Sequence, residues 1–293
     1  MTLASASVAE QVAAVALAHV RAKKANPPDP QAWRVLARPE QTPPDGDWRA
    51  WYLRGGRGGG KTWTGSHTIS EWALTYPDVD GAIVAPTYGD ARDTCVEGPS
   101  GMLAAFGTNR VEVDRGSSRH VLAWNRSIGE VRLRNGVTIF IDGADDGALR
   151  IQGKNLGWAW CDEVGLWRTW RLAWEESIGF AVRLAPSRII ATGTPKRGHQ
   201  LVKRLIADEM VVKTVVRTLD NAENLDPSAL EEFVRRYSDT LLIFLLKGHN
   251  PTRYRERVDV TLDVRKAIER LTDDPAERDA ALAEAERILA GRS

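Results

Sequence analysis

Short apolar runs recur through the middle of the chain. WRAWYL (48–53), GAIVAP (81–86), VTIFID (137–142), LGWAWCD (156–162) and SRIIATG (187–193) are nearly continuous in apolar residues, and MVVKTVV (210–216) is a further run that can pair with them. Runs this short, with little alternation, are predicted to be strands buried on both faces. Helix-compatible stretches lie between them: 60–75 follows the first run and 89–106 follows the second. Strands separated by helices predict an α/β fold, a mostly parallel sheet between layers of helix.

Both ends of the chain have a different pattern. Residues 4–25 are predicted to form a helix whose last turn carries Arg21, Lys23 and Lys24, cations that suit the negative end of the helix dipole. NPPDP (26–30) stops that helix, and PEQTPPDGD (39–47) is a second proline-rich connector, so the compact core is expected to start near Trp48. From 226 the pattern is helical again, and 264–290 is rich in Ala, Glu and Arg. The expected division is a helical N-terminal arm and connector over 1–45, a core over 46–220, and a small helical lid with a charged tail over 221–293. No internal repeat is visible.

Composition removes several alternatives. Lys plus Arg number 40 and Asp plus Glu 39, so no polybasic coat exists, although a local basic groove is compatible with that balance. Two cysteines, Cys95 and Cys161, make no disulfide framework, and the five histidines lack metal-ligand spacing with them. No segment reaches the ~18–20 apolar residues that span a bilayer, and residues 8–18, apolar but broken by Glu10, read as an amphipathic helix. A cytoplasmic location is expected. The eleven tryptophans fall largely at strand and helix positions, where core packing accounts for them.

One motif is specific. Gly55-Gly56-Arg57-Gly58-Gly59-Gly60-Lys61-Thr62 fits G-x-x-x-x-G-K-[ST] in full, after a predicted strand and at the start of a predicted helix. Glycines let the backbone close round phosphate oxygens with N–H groups inward, and the helix N-terminus adds partial positive charge. Lys61 then reaches the β- and γ-phosphates of a nucleotide, and the Thr62 hydroxyl ligates Mg2+. Hydrolysis further needs a carboxylate for the metal and a base for water. Leu156–Glu163 ends an apolar run with both: Asp162 for Mg2+ and Glu163 for the water. Ala191-Thr192-Gly193-Thr194-Pro195 closes the next run, where small hydroxyl residues can sense the γ-phosphate or simply end a strand.

With these three elements in this order, the chain resembles the large terminase subunit of tailed bacteriophages, the ATP-driven motor that packages DNA into proheads. The resemblance covers about residues 38–225 and is carried by ARPEQTPPDGDWRAWYLRGGRGGGKT (37–62), APTYGDARDTCVEGPSGML (85–103), ALRIQGKNLGWAWCDEVGLW (148–167) and ATGTP (191–195). Arg57 inside the loop is a mark of that family, and TLDN (218–221) looks like the way into its lid. The resemblance implies that Gln41 reads the adenine edge, that Arg150 reaches the nucleotide of a neighbouring subunit, and that Thr192 and Thr194 couple hydrolysis to DNA movement. It also implies ATP and Mg2+ as cofactors and double-stranded DNA, a portal protein and a small terminase subunit as partners. A homo-oligomeric ring on the prohead, in the cytoplasm of an infected bacterial host, follows from the same likeness.

The chain departs from that pattern near Asp239. Large terminases continue into a nuclease with clustered carboxylates, whereas here LLIFLLKGHN (241–250) leads to a basic stretch and a charged tail. Nuclease activity is not expected of this chain; VDVTLDV (258–264), which alternates like a strand, is the one stretch that suggests otherwise. Two other readings of the ATPase portion stay open: a helicase-like motor, and a truncated terminase that serves as an assembly adaptor.

Overall fold

The computed structural model describes residues 30–196, 198–218, 220–221, 260–272 and 274–290, together with Ala13 and Leu17. The chain divides into two compact units, Ala37–Asn224 and a second one made from Met1–Leu36 with Leu225–Ser293.

The first unit is built on one sheet of eight strands: β1 Ala50–Gly55, β2 Asp80–Ala85, β3 Val121–Asn125, β4 Glu130–Leu133, β5 Thr138–Gly143, β6 Leu156–Cys161, β7 Arg188–Gly193 and β8 Val211–Val216, in the order β3-β4-β5-β2-β6-β7-β1-β8. The six strands from β5 to β8 in that order run parallel, so their C-terminal ends share one edge of the sheet. Ligands of open parallel sheets bind at that edge. Here it gathers the segments after Gly55, Gly143, Cys161 and Gly193.

Successive side chains point to opposite faces, which splits the core in two. Trp51 and Leu53 of β1, Ile83 of β2, Trp158 and Trp160 of β6 and Ile190 of β7 pack against Ile69 and Trp72 of the helix Lys61–Thr75. Tyr52, Val84, Ala159, Cys161, Ile189 and Ala191 pack on the other face against Ala173, Ile178, Leu201 and Leu205, from the helical segment Arg171–Ala181 and the helix Gln200–Ala207. Burial on both faces explains why the central strands read as unbroken apolar runs. The tryptophans fill this interior as expected: Trp51, Trp158, Trp160 and Trp167 are fully buried.

Two elements differ from the sequence expectation. The stretch 89–106 is not one helix: Tyr88–Asp90 continues as Ala91–Val96, and a separate short helix, Met102–Ala105, follows. Gly98-Pro99-Ser100-Gly101 breaks it, since proline cannot donate to the helical ladder. The hairpin β3–β4 also goes unmarked in the apolar pattern. Its strands are short and partly exposed; β3 pairs antiparallel with β4, and β4 antiparallel with β5. The turn is closed by Asn125, whose side-chain oxygen accepts from the N–H groups of Ser127 (3.1 Å) and Ile128 (3.3 Å), and by Gly129 at φ 73°.

In the second unit two helices, Val260–Leu271 and Pro275–Ala290, are joined by a turn in which the Thr272 hydroxyl donates to Glu277 at 2.6 Å. Its hydrophobic cluster holds buried residues in pairs four apart, Ala13 with Leu17, Val264 with Ile268 and Ala281 with Ala285, the spacing of one helix face. Val260–Val264 is helix, which overturns the strand reading of VDVTLDV for those residues; its first two lie outside the described residues. Ala13 and Leu17 are helical; the rest of the predicted arm and the lid region from 222 to 259 lie outside the described residues. Among the described residues no helix is long and apolar enough to cross a membrane.

Candidate functional site

The chain leaves β1 at Gly55 and enters the helix Lys61–Thr75 through the glycine loop. Gly60 caps that helix in the left-handed region (φ 84°), and a side chain there would also meet the Gln41 amide at 2.5 Å. Four carbonyls of the loop are held one by one. Gly56 O accepts from Lys61 Nζ (2.9 Å), Arg57 O from the Thr218 hydroxyl (2.8 Å), Gly58 O from Asn221 Nδ2 (2.6 Å) and Gly59 O from Arg38 Nη2 (2.8 Å). With four of its carbonyls held, the loop's path is fixed, as a nest of backbone N–H groups requires. The Arg57 side chain is exposed, and Thr62 is half-buried at the second position of the helix.

Three residues that the sequence motifs do not single out support this loop. Arg38 bonds Gly59 and also donates to Asn221 Oδ1 at 2.8 Å, so the two side chains brace each other across the chain. Thr218 and Asn221 belong to TLDN, legible beforehand only as a connection to the lid. Gln41 is buried, accepts from Arg38 N–H (3.2 Å) and donates to the Thr64 hydroxyl (3.0 Å) and Gly60 O (3.4 Å). The adenine-reading role implied for Gln41 would require its amide to exchange one of these bonds.

β7 lies between β1 and β6, so its last residues stand between the glycine loop and the Asp162-Glu163 pair. Glu163 sits at φ 45°, ψ 45°, a left-handed conformation uncommon outside glycine. From there one carboxylate oxygen accepts from the Thr194 N–H (3.1 Å) and the other lies 3.7 Å from Lys61 Nζ. Asp162 is buried; one of its oxygens accepts from the Thr192 hydroxyl and the other from the Cys95 thiol at 3.5 Å. Burial pushes the Asp162 carboxyl up to about 6, partly offset by the Thr192 hydrogen bond. The Cys95 and Cys161 thiols are held well above their ordinary range by burial, so both stay neutral.

Arg150 follows β5 on the same edge of the sheet. Asp142, at the end of β5, accepts from the N–H groups of Gly143 (2.9 Å) and Arg150 (2.8 Å), and Ala148 adopts φ 53° in the turn between. The exposed Arg150 guanidinium lies over the Tyr88 ring, 4.5 Å from its centroid. β2, β6 and β7 separate β5 from β1, and four strand spacings amount to roughly 19 Å. The structure thus brings together Lys61, Glu163, Thr194, Asp162 and Thr192, and leaves Arg150 away from the glycine loop of its own chain.

The site fits a divalent cation. Asp162 is a buried carboxylate next to Glu163, and burial raises its pKa above the ordinary carboxylate range. Asp162 and the Thr62 hydroxyl offer the hard oxygen donors that Mg2+ takes.

A mostly parallel sheet with a glycine-rich loop after β1 and an acidic pair after β6 is the arrangement of the P-loop fold. Residues 52–249 match the family model described as terminase large subunit, T4likevirus-type, N-terminal, and the chain belongs to that family. The large terminase of a thermophilic bacteriophage has a similar fold: at 16% identity the match covers 73% of this chain and 50% of that one, with a TM-score of 0.51. The same phage protein in complex with ADP matches at 15% identity over 78% and 50% of the two chains, with a TM-score of 0.52. In complex with ATP-gamma-S it matches at 15% identity over 73% and 49%, with a TM-score of 0.50. This chain spans about half the length of those structures. Among curated proteins no relative matches it.

Proposed function

We propose that this chain hydrolyses ATP and that hydrolysis drives double-stranded DNA into a viral prohead. The observation that carries the reading is the meeting of Lys61 and Glu163, 3.7 Å apart, where the glycine loop and the end of β6 converge. The loop from Gly55 to Gly60 binds the phosphate chain, and Lys61 neutralises charge that builds on the β- and γ-phosphates. Asp162 and Thr62 would hold Mg2+, which when bound supplies further charge neutralisation at the phosphate oxygens. Glu163 takes a proton from the attacking water as its oxygen bonds to the γ-phosphorus and the bond to ADP breaks. Thr194 orients Glu163 through its N–H, so Thr192 and Thr194 link the acidic pair to the strand assigned to coupling.

Arg150 acts on the nucleotide of a neighbouring subunit in a ring of identical chains. Its distance from its own loop and its exposed, ring-stacked guanidinium support that role. Gln41 is assigned the adenine edge. Packaging must grip any sequence, so contacts go to DNA phosphates and weaken with salt. A portal protein and a small terminase subunit complete the assembly in the host cytoplasm.

ATP turnover, measured with and without duplex DNA at low and moderate salt, tests the reading. Turnover that duplex DNA stimulates, without strand separation, is the expected result. Strand separation would make the protein a helicase, and binding without turnover would make it an adaptor.

A further inference from the structure

The two oxygens of Asp162 are held by the Thr192 hydroxyl and the Cys95 thiol, and the first of those donors is itself held. Thr192 Oγ1 lies 2.9 Å from the indole nitrogen of Trp160 and hydrogen-bonds Asp162 Oδ1. An indole N–H can only donate, so the Thr192 hydroxyl must accept from it. The single hydroxyl proton is then free to point at Asp162; the alternative acceptor, Cys161 O, is 3.4 Å away and uncharged. Trp160 and Thr192 are fully buried, so no solvent competes for either bond. The indole is also fixed from behind. It packs where Gly65 leaves room in the helix Lys61–Thr75, and a Cβ on Gly65 would come within 2.3 Å of the ring.

We propose that Trp160 is a positioning residue: its N–H commits the Thr192 hydroxyl to Asp162 and so presents that carboxylate in one orientation. The relay runs from the helix that follows the glycine loop, through the β6 indole, to the end of β7 and back to Asp162. A shift of that helix would therefore be felt at the carboxylate. This inference rests on the reading of Asp162 as the residue that holds Mg2+.

The test replaces Trp160 by benzothienylalanine, which keeps the ring shape and removes the N–H, and compares Trp160→Phe, Thr192→Val, Thr192→Ser and the double variant Trp160→Phe/Thr192→Val. Two quantities are read at varied Mg2+: ATP turnover, and ATP binding by calorimetry, with ATP binding in EDTA and melting temperature as controls. Removing the N–H is expected to raise the half-saturating Mg2+ concentration about five- to tenfold, the size of one buried hydrogen bond, with ATP affinity in EDTA unchanged. Thr192→Val should show the same shift, the double variant no more than Thr192→Val alone, and Thr192→Ser a value within about twofold of the natural chain. Unchanged Mg2+ dependence on removing the N–H, or additive losses in the double variant, would overturn the relay. Should Trp160→Phe fail to fold, the isosteric replacement decides. Binding of Mg2+ with ATP but no turnover in the natural chain would sink the ATPase reading, while the relay would still be decided by the binding data.

Discussion

The Lys61 ammonium lies 3.7 Å from one oxygen of Glu163, while the other oxygen accepts the Thr194 N–H at 3.1 Å. The proposed base is thus bridged between Lys61 and the end of β7. The two charges have separable duties. Lys61→Ala removes the cation that meets the phosphates, and ATP binding should fall by at least about a hundredfold. Glu163→Gln keeps the shape, so ATP binding should stay within a few-fold while turnover drops about 10²-fold or more. Calorimetric titration beside steady-state assays separates the two; normal turnover by Glu163→Gln would remove that residue from its role.

Loop support from outside makes a second prediction. Asn221→Ala frees Gly58 O and leaves one Arg38 donor unpaired. The expected cost is about 1 kcal/mol, read as a roughly fivefold weaker ATP affinity. Equal affinity for the variant and the natural chain would mean the loop holds its shape without the clamp.

Arg150 should work across subunits. Arg150→Ala protein is expected to bind ATP and turn over at least ~10³-fold more slowly, as for other arginines donated to a neighbouring site. Mixed with Glu163→Gln protein, it should regain activity at interfaces that pair an intact arginine with an intact glutamate. Mixed rings, verified by mass, that stay inactive would count against a role in trans.

The buried Asp162 carboxyl links function to stability. Its acidity range is raised from the ordinary 3.8 to about 6, so the folded state holds the proton more tightly than the unfolded one. Folding stability therefore declines as pH rises from about 4 to about 6 and stays lower above that. In metal-free buffer at pH 8, Asp162→Asn removes this cost and should stabilise the chain by up to roughly 3 kcal/mol, a gain that vanishes near pH 4. Melting curves at the two pH values check it; the same variant should lose Mg2+-dependent turnover. An Asp162→Asn protein that melts lower at pH 8 would show that the carboxylate is already compensated.

The steric fit behind the indole can be tested separately. Gly65→Ala forces a methyl into the Trp160 ring, with an expected loss of about 1–3 kcal/mol and a lower melting temperature. An unchanged melting temperature would show that the ring has room to move.

The central parallel strands β1, β2, β6 and β7 were legible because both of their faces are buried, which writes each as an apolar run such as LGWAWC. The β3–β4 hairpin was not, because its strands are only four or five residues long, partly exposed, and carry charges such as Arg132. Gly-Pro-Ser-Gly at 98–101 could have warned that 89–106 breaks. At the site, Gly55–Thr62, Asp162 and Glu163 announce themselves because their spacing is local. Arg38, Thr218, Asn221 and Cys95 do not, because their partners lie far along the chain and each is an ordinary residue in its own segment. Trp160 looked like core filling, which it also is.

Gly55 has a meaning apart from phosphate. A Cβ there would stand 2.0 Å from the Val216 carbonyl oxygen, on the strand that flanks β1. The first glycine of the motif is thus demanded by the edge strand β8, and any side chain at 55 would have to push that strand off before a nucleotide arrived. Selection for a sound sheet and selection for a working loop fall on the same codon. A library randomised at position 55 and screened only for folding should already return glycine.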